Sequence, residues 1–153
     1  MAFGRGKVIL LGEHGVVFGR PALACGIDRG VHAEASPSDV SRLVIPKWNL
    51  SAEPKADAEE SLARAFDALL DVYENRPTLS VRAEVALPAG VGLGCSAALG
   101  VAVLGAMDRA VGIERTADER AEVSLVWERI FHGTPSGVDS AMASAGGVAV
   151  FER

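Results

Sequence analysis

The stretch Pro88-Ala-Gly-Val-Gly-Leu-Gly-Cys-Ser-Ala-Ala98 has glycine at three alternate positions, directly before a long apolar segment. Glycine lacks a Cβ atom, so an anion can closely approach the backbone N–H groups of such a turn. The apolar segment predicts a buried helix over residues 96–111, whose positive N-terminal end would add to the attraction. We therefore expect residues 88–98 to hold phosphate, with a plain tight turn as the competing interpretation.

This loop does not match the two common phosphate-binding motifs. No Gly-Lys-Ser or Gly-Lys-Thr follows its glycines, which excludes the P-loop pattern. The glycine spacing and the lack of a surrounding βαβ pattern argue against a dinucleotide fingerprint. Ser96 stands at the start of the predicted helix, where its hydroxyl could bind a phosphate oxygen or a Mg²⁺ ion.

The remaining sequence predicts strands and helices that do not alternate strictly. Short apolar runs and period-two alternation indicate strands over residues 7–11, 31–35, 43–45, 79–85 and 147–151. Helical periodicity and capping signals indicate helices over residues 62–73, 96–111, 116–131 and 138–144, with residues 47–57 as a loop. We therefore expect an α+β fold, with residues 1–153 as one domain.

Three ionisable residues bracket the first predicted strand. Lys7 opens the strand, and Glu13-His14 follows the glycine that closes it. A lysine at a strand start is usually a solvated strand end, and Glu13-His14 could be an ordinary turn. The alternative interpretation is that these side chains converge at the ends of one buried strand and take part in a site.

A third segment joins the two last predicted helices. Glu128 and His132 lie four residues apart on one helix and therefore share a face. Ser136 can cap the following short helix, and Asp139 lies in that helix's first turn. The ordinary role of such an aspartate is to complement the helix dipole. The functional alternative is a carboxylate that acts as a base near the phosphate loop.

Composition limits the classes of partner. The chain has 153 residues and a net charge of −5, which argues against nucleic acid or an anionic membrane surface. Its apolar run at residues 8–11 is too short for a signal peptide, so we expect a cytoplasmic protein. The two cysteines, Cys25 and Cys95, are expected to be reduced. The helix N-terminus beside Cys95 is expected to lower the pKa of that thiol.

The three segments, in this order, resemble the GHMP kinase family, which includes galactokinases, homoserine kinases and mevalonate kinases. The loop is similar to the family's P-x-G-x-G-L-G-S-S-A-A signature, with Cys95 replacing the first serine. The stretches GKVILLGEHGVVFGRPALACGID and FHGTPSGVDSA are most similar to the mevalonate kinase branch, which typically has Asn where Ser140 stands. The resemblance spans residues 7–151 and implies a ribosomal-protein-like two-layer domain of sheet and helices.

The resemblance also implies a reaction and residue roles. The reaction is ATP-dependent phosphoryl transfer to the 5-hydroxyl of mevalonate, with Mg²⁺ as cofactor. Asp139 corresponds to the catalytic base, and Lys7 to the lysine beside that aspartate and the reacting oxygen. Ser96 and Glu128 correspond to the Mg²⁺ ligands. The phosphate-binding loop corresponds to Pro88, Ala89, Gly90, Val91, Gly92, Leu93, Gly94, Cys95, Ser96, Ala97 and Ala98.

Two matters stay open in the sequence. Glu13 and His14 correspond to residues of the substrate pocket. Family members also carry a C-terminal domain that closes the active site, and this chain lacks that domain. The chain is therefore a fragment, one subunit of a split enzyme, or a module with a changed function. Alternative functions are another GHMP kinase, acting on phosphomevalonate or a sugar, and a non-catalytic nucleotide-binding module. The expected partners are mevalonate and either a second copy or a separate C-terminal domain.

Overall fold

The computed structural model describes residues 1–12 and 15–151. These residues form six strands and four α-helices, which confirms the predicted α+β class. In chain order the elements are β1 (Ala2–Leu11), β2 (Ala22–Pro37), β3 (Arg42–Ile45), β4 (Leu50–Ala52), α1 (Ser61–Leu70), β5 (Leu79–Val85), α2 (Cys95–Val111), α3 (Ala117–His132), α4 (Val138–Ala145) and β6 (Val148–Phe151). Short 3₁₀ turns occur at Gly15–Phe18 and Pro46–Trp48.

The strands form one sheet around the long strand β2. β1 pairs antiparallel with one edge of β2. The other edge of β2 pairs antiparallel with β6 in its first half and with β5 in its second half. β3 lies parallel to β5, and β4 completes that edge of the sheet. The end of β1 and the start of β2 therefore meet β6 at one end of the sheet.

Helix α2 is buried along most of its length, as its apolar sequence predicts. Most of its apolar residues from Ala98 to Met107 lie in the main core with those of β2, β5 and α1, while Ala97 and Val101 pack against Ala143 of α4. Small residues let it lie close to its neighbours. A Cβ atom at Gly4 of β1 would overlap the carbonyl oxygen of Ala98, and one at Gly100 would lie 2.6 Å from Trp127 Cδ1 of α3. The core thereby fixes the N-terminal end of α2 relative to β1 and α3.

The predicted helices are confirmed, with boundaries displaced by up to three residues. The largest displacement is in α1, which ends at Leu70 although the apolar stripe continues to Tyr73. The capping box that opens α3 is present, since the Thr116 hydroxyl accepts from the Glu119 N–H and the Glu119 carboxylate accepts from the Thr116 N–H. Among the described helices, none is long and apolar enough to cross a membrane.

The strand predictions are less complete. β1 starts at Ala2 and β2 at Ala22, well before the predicted starts. Those early segments are rich in alanine and glycine, which have low strand propensity. Helices pack closely on them, α2 at Gly4 of β1 and α4 at Ala24 of β2. Residues 47–57 were predicted to be a loop, but they include β4. That strand has only three residues and lies at the sheet edge, so its sequence carries little pattern.

Candidate active site

Lys7 is the central residue of a cluster of polar groups on the helix side of β1. It is only 5% exposed, so the interpretation as a solvated strand end is wrong. Its Nζ lies 3.2 Å from Asp139 Oδ1 and donates to the Gly92 carbonyl oxygen at 3.1 Å. Its backbone N–H donates to the Leu93 carbonyl oxygen at 3.0 Å. Lys7 therefore connects the glycine loop to Asp139.

Asp139 reaches this cluster from the first turn of α4. The helix starts after Gly137, whose φ of 90° is a left-handed conformation that suits glycine. The Ser136 hydroxyl accepts from the Val138 N–H at 3.4 Å, a weak contribution to the helix start. The Asp139 side chain is one-third exposed. Its carboxylate is therefore paired with Lys7 on one side and accessible to a small molecule on the other.

The glycine loop lies directly against the Lys7–Asp139 pair. Gly90, Gly92 and Gly94 have φ values of 75°, 77° and 68°, which other residues rarely adopt. A Cβ atom at Gly94 would lie 3.0 Å from Lys7 Cγ and 3.7 Å from Asp139 Oδ2. α2 begins at the next residue, so its N-terminal end faces the same region. The loop, the helix end and the ion pair that the sequence singled out are thus brought together.

Ser96 and Glu128 form a second pair of oxygen groups beside the loop. The Ser96 hydroxyl donates to Glu128 Oε1 at 2.8 Å, and Trp127 Nε1 donates to the Ser96 carbonyl oxygen at 3.1 Å. Glu128 is 3% exposed, and its Oε2 lies 4.0 Å from His132 Nε2. Burial raises the pKa of the Glu128 carboxyl, while the Ser96 hydrogen bond and His132 act in the opposite direction.

These two oxygens fit a Mg²⁺ ion that keeps most of its water. Among the described residues, no group of three or more His, Cys, Asp or Glu side chains is placed to hold a metal. Mg²⁺ commonly binds through one or two protein oxygens together with substrate phosphates, so a larger cluster is not needed. A cation at Ser96 and Glu128 would also compensate the buried carboxylate.

A polar cavity of about 230 Å³ opens beside the Lys7–Asp139 pair. It is lined by residues from β1, α3, the loop before α4, and α4 itself: Ile9, Glu128, His132, Thr134, Pro135, Ser136, Gly137, Val138, Asp139 and Ser140. Hydroxyl groups and carboxylates give it the character of a site for a small polar molecule. Glu13 and His14, which the sequence also assigned to a substrate pocket, lie outside the described residues.

A separate apolar cavity of about 230 Å³ is lined in part by Ser96. Its lining is almost entirely apolar and includes three aromatic rings: Trp48, Leu50, Leu62, Ala89, Gly90, Cys95, Ser96, Leu99, Trp127 and Phe131. Sequence reasoning missed this cavity, because Trp48 and Leu50 fall in the segment predicted to be a loop. A large aromatic residue inside an otherwise polar segment is the signal that could have indicated it.

Cys95 differs from the expectation drawn from its place at a helix N-terminus. It is 9% exposed and lies between the glycine loop and the apolar cavity. Burial raises the pKa of its thiol, and the positive charge of Lys47 opposes this only in part. The prediction of a lowered pKa is therefore wrong, because desolvation outweighs the favourable charges.

Comparisons with known proteins agree with this geometry. Residues 60–147 match the family model described as the GHMP kinases N terminal domain. A mevalonate kinase of Methanothermobacter thermautotrophicus is 37% identical over 145 residues, covering 93% of this chain and 46% of the relative. A mevalonate kinase of Pyrococcus furiosus is 31% identical over 166 residues, covering 96% of this chain and 50% of the relative.

A solved structure gives the same result for the fold. The crystal structure of L. major mevalonate kinase in complex with R-mevalonate superposes with a TM-score of 0.79 at 29% identity. The match covers 99% of this chain and 48% of that protein. The chain therefore has the fold of this N-terminal domain, and it spans about half the length of the curated relatives it matches.

Proposed function

The chain belongs to the GHMP kinase family, and on that premise we propose that it is the ATP-binding half of a kinase that phosphorylates the 5-hydroxyl of mevalonate. The observation that carries the proposal is the Lys7–Asp139 ion pair of 3.2 Å, which lies against the glycine loop. Phosphoryl transfer depends mainly on positioning and on compensation of negative charge, and this arrangement offers both. The substrate is proposed from the names of the relatives.

The nucleotide extends across Ser96 in this proposal. Its base occupies the apolar cavity, where the rings of Trp48 and Phe131 can contact a flat aromatic ligand. Its phosphates lie over the glycine loop and the N-terminal end of α2. Ser96 and Glu128 hold Mg²⁺, which neutralises phosphate charge when it is bound.

Asp139 is the base of the proposed reaction. The acceptor molecule occupies the polar cavity, so that its hydroxyl lies near the open side of the Asp139 carboxylate. The hydroxyl oxygen forms a bond to the γ-phosphorus, the bond from that phosphorus to the bridging oxygen breaks, and ADP leaves. The hydroxyl proton passes to Asp139. The Lys7 ammonium stabilises the negative charge that develops on the attacking oxygen.

The proposal also covers the extent of the domain, the substrate-pocket residues and the second half of the enzyme. Residues 1–153 act as one domain, and Glu13 and His14 contribute to binding of mevalonate. A second half, supplied in the same polypeptide or by a separate chain, closes the polar cavity. The chain spans only about half the length of its relatives, which leaves two alternatives. The partner is then a second copy of this chain, or the chain binds nucleotide without turnover.

An acceptor survey tests the proposed function. The chain is co-expressed with the half of the Methanothermobacter thermautotrophicus relative that lies outside the matched region, and ADP release is measured with MgATP. Mevalonate, phosphomevalonate and galactose are supplied separately. We expect turnover only with mevalonate. Faster turnover with another acceptor would contradict the proposed substrate, and nucleotide binding without turnover would favour the non-catalytic alternative.

A further inference from the structure

The sheet has an apolar surface on the side that faces away from the helices. Ile9, Ala24 and Phe151 lie on the helix side, where they contact α4 in one apolar cluster. Successive residues of a strand point to opposite faces, so the neighbours of these three residues point away from the helices. Leu11 lies on the same side as Leu23, because the two residues pair after a register shift in β1 between Ile9 and Leu11. We call this surface the bare face, and its members are Val8, Leu11, Leu23, Cys25, Val148 and Val150.

Strand pairing brings the side chains of the bare face together. Cys25 pairs with Val8 on one side and with Val148 on the other. Leu23 pairs with Val150 in the next row. Val148 and Val150 are 66% and 67% exposed, which is unusual for two valines of one short strand. Three neighbouring strands therefore present one continuous aliphatic surface to solvent.

The same side of the sheet is polar at its other end. His32 and Glu34 of β2 are exposed there and pair with Glu84 and Arg82 of β5. Arg82 and Glu84 form an ion pair at 2.8 Å. The bare face is therefore a local feature and not a general property of this side of the sheet. An exposed apolar surface that adjoins a polar one usually marks an interaction site.

We propose that the bare face is the docking surface for a second half, equivalent to the half of the relatives that lies outside the matched region. Those relatives carry roughly as much chain again, since the match covers 46–50% of their length. In a chain of that length the polypeptide continues after β6, and β6 is one of the three strands of the bare face. The following segment leaves the sheet at the edge of this surface, so docking requires only a short connection.

Association provides a test that does not depend on catalysis. The inference rests on the proposed function only for the existence of a second half. The tagged 153-residue chain is co-expressed with the second half of the Methanothermobacter thermautotrophicus relative, and co-purification is quantified. Val150→Asp places a charge on the bare face, while Val40→Asp is the matched control at a valine that is 54% exposed in the loop before β3. Thermal melting of each variant chain checks that it folds.

Cys25 supplies a second measurement from the centre of the bare face. We expect Val150→Asp to weaken association at least about tenfold, since it buries a charge in an apolar interface, and Val40→Asp to leave it unchanged. In a Cys95→Ser background, alkylation of Cys25 should be slower in the complex than in the chain alone. Equal association of both variants, unchanged alkylation of Cys25, or no association of the unaltered halves would overturn the inference. A stoichiometric dimer that persists beside the second half would assign the surface to a second copy.

Discussion

At the scale of single residues, the buried ammonium of Lys7 determines how the site is arranged. A charged group with 5% exposure must be compensated, and its two partners are Asp139 and the Gly92 carbonyl oxygen. One partner is a potential base and the other belongs to the glycine loop. The need to compensate one lysine therefore holds the Asp139 carboxylate and the glycine loop in register before any ligand binds.

Asp139→Asn tests the role of the carboxylate. The amide has nearly the same shape but cannot accept the hydroxyl proton, so we expect kcat to fall by about a hundredfold or more. MgATP binding should be retained, because the glycine loop and Ser96 are unchanged. Steady-state turnover of the complex with a second half gives the measurement. Asp118→Asn, which also changes an aspartate in the first turn of a helix, is the control. Near-normal kcat in Asp139→Asn would exclude Asp139 as the base.

Cys95 reports on the proposed nucleotide site. Because burial raises its pKa, alkylation of Cys95 should be slow at neutral pH and accelerate toward higher pH. Bound MgATP should slow it further, since the thiol lines the apolar cavity beside the glycine loop. Cys25, on the opposite side of the sheet, is the internal control. Mass spectrometry of both cysteines with and without MgATP provides the rates, and equal rates at Cys95 would place the nucleotide elsewhere.

At the scale of secondary-structure elements, close contact between α2 and α3 holds Glu128 in place. Gly100→Ala would put a methyl group 2.6 Å from the Trp127 ring, and Trp127 precedes Glu128 in the chain. Gly105→Ala is the matched control on the same helix. Its added methyl group would lie 3.2 Å from Ala2 Cβ and 3.4 Å from Arg120 Nε, so it causes no severe overlap. Both changes gain the same helix propensity, so their difference isolates the steric clash.

We expect Gly100→Ala to be less stable than Gly105→Ala by roughly 1–3 kcal/mol, the usual cost of adding volume to a well-packed core. Urea denaturation of the two variants gives this difference. The displaced Trp127 should also change its fluorescence. Equal stabilities would mean that α2 and α3 separate easily and do not position Glu128.

Tyr73 connects the chain segment after α1 to α2 and permits a direct pH measurement. Its hydroxyl donates to Asp108 Oδ1 at 2.7 Å, and Arg115 contacts both residues. Burial raises the pKa of Tyr73 to about 12, with the Arg115 charge acting in the opposite direction. Tyr73 is the only tyrosine in the chain, so tyrosinate absorbance reports on it alone.

The sign of the pH effect follows from the raised pKa of Tyr73. Folding favours the protonated phenol, so this contribution to stability is complete below the ordinary pKa of 10 and is lost as the pH rises through about 12. Tyr73→Phe should remove that dependence and cost about 1–2 kcal/mol at neutral pH. Spectrophotometric titration and denaturation at several pH values measure both effects. A titration midpoint near 10 in the folded chain would contradict the prediction.

The sequence predicted elements with strong patterns and missed those that depend on contacts. The helices were predictable because each carries an apolar stripe or a capping signal, as at Thr116 and Glu119. The early parts of β1 and β2 were not, because their glycine and alanine residues carry no strand pattern and depend on packing against α2 at Gly4 and α4 at Ala24. The site residues Lys7 and Asp139 were found as separate motifs and by family resemblance. Their distance of 3.2 Å depends on the packing of β1 and α4 and could not be read from spacing.

At the scale of the whole molecule, the exposed apolar surface does not lie on α2, although the apolar sequence of that helix suggested that it needs cover from a further domain. The all-round apolar sequence of α2 predicted cover from several directions, and β1, β2, α3 and α4 provide that cover within the chain. The apolar surface that no other part of the described chain covers is instead the bare face. The polar cavity with Asp139 lies on the helix side of the same strands, so both surfaces are at one end of the sheet.

The 153-residue chain is therefore expected to be a poor kinase by itself. Asp139 is one-third exposed and the polar cavity is open, so water screens the charges that would stabilise the transition state. The exposed bare face should favour weak self-association that a second half displaces. We expect weak MgATP binding, little or no turnover of mevalonate, and light scattering above the monomer value. Steady-state assays and light scattering on one purified sample test all three. A monodisperse monomer with kcat of about 10 s⁻¹, an ordinary value for an intact enzyme, would show that one half suffices.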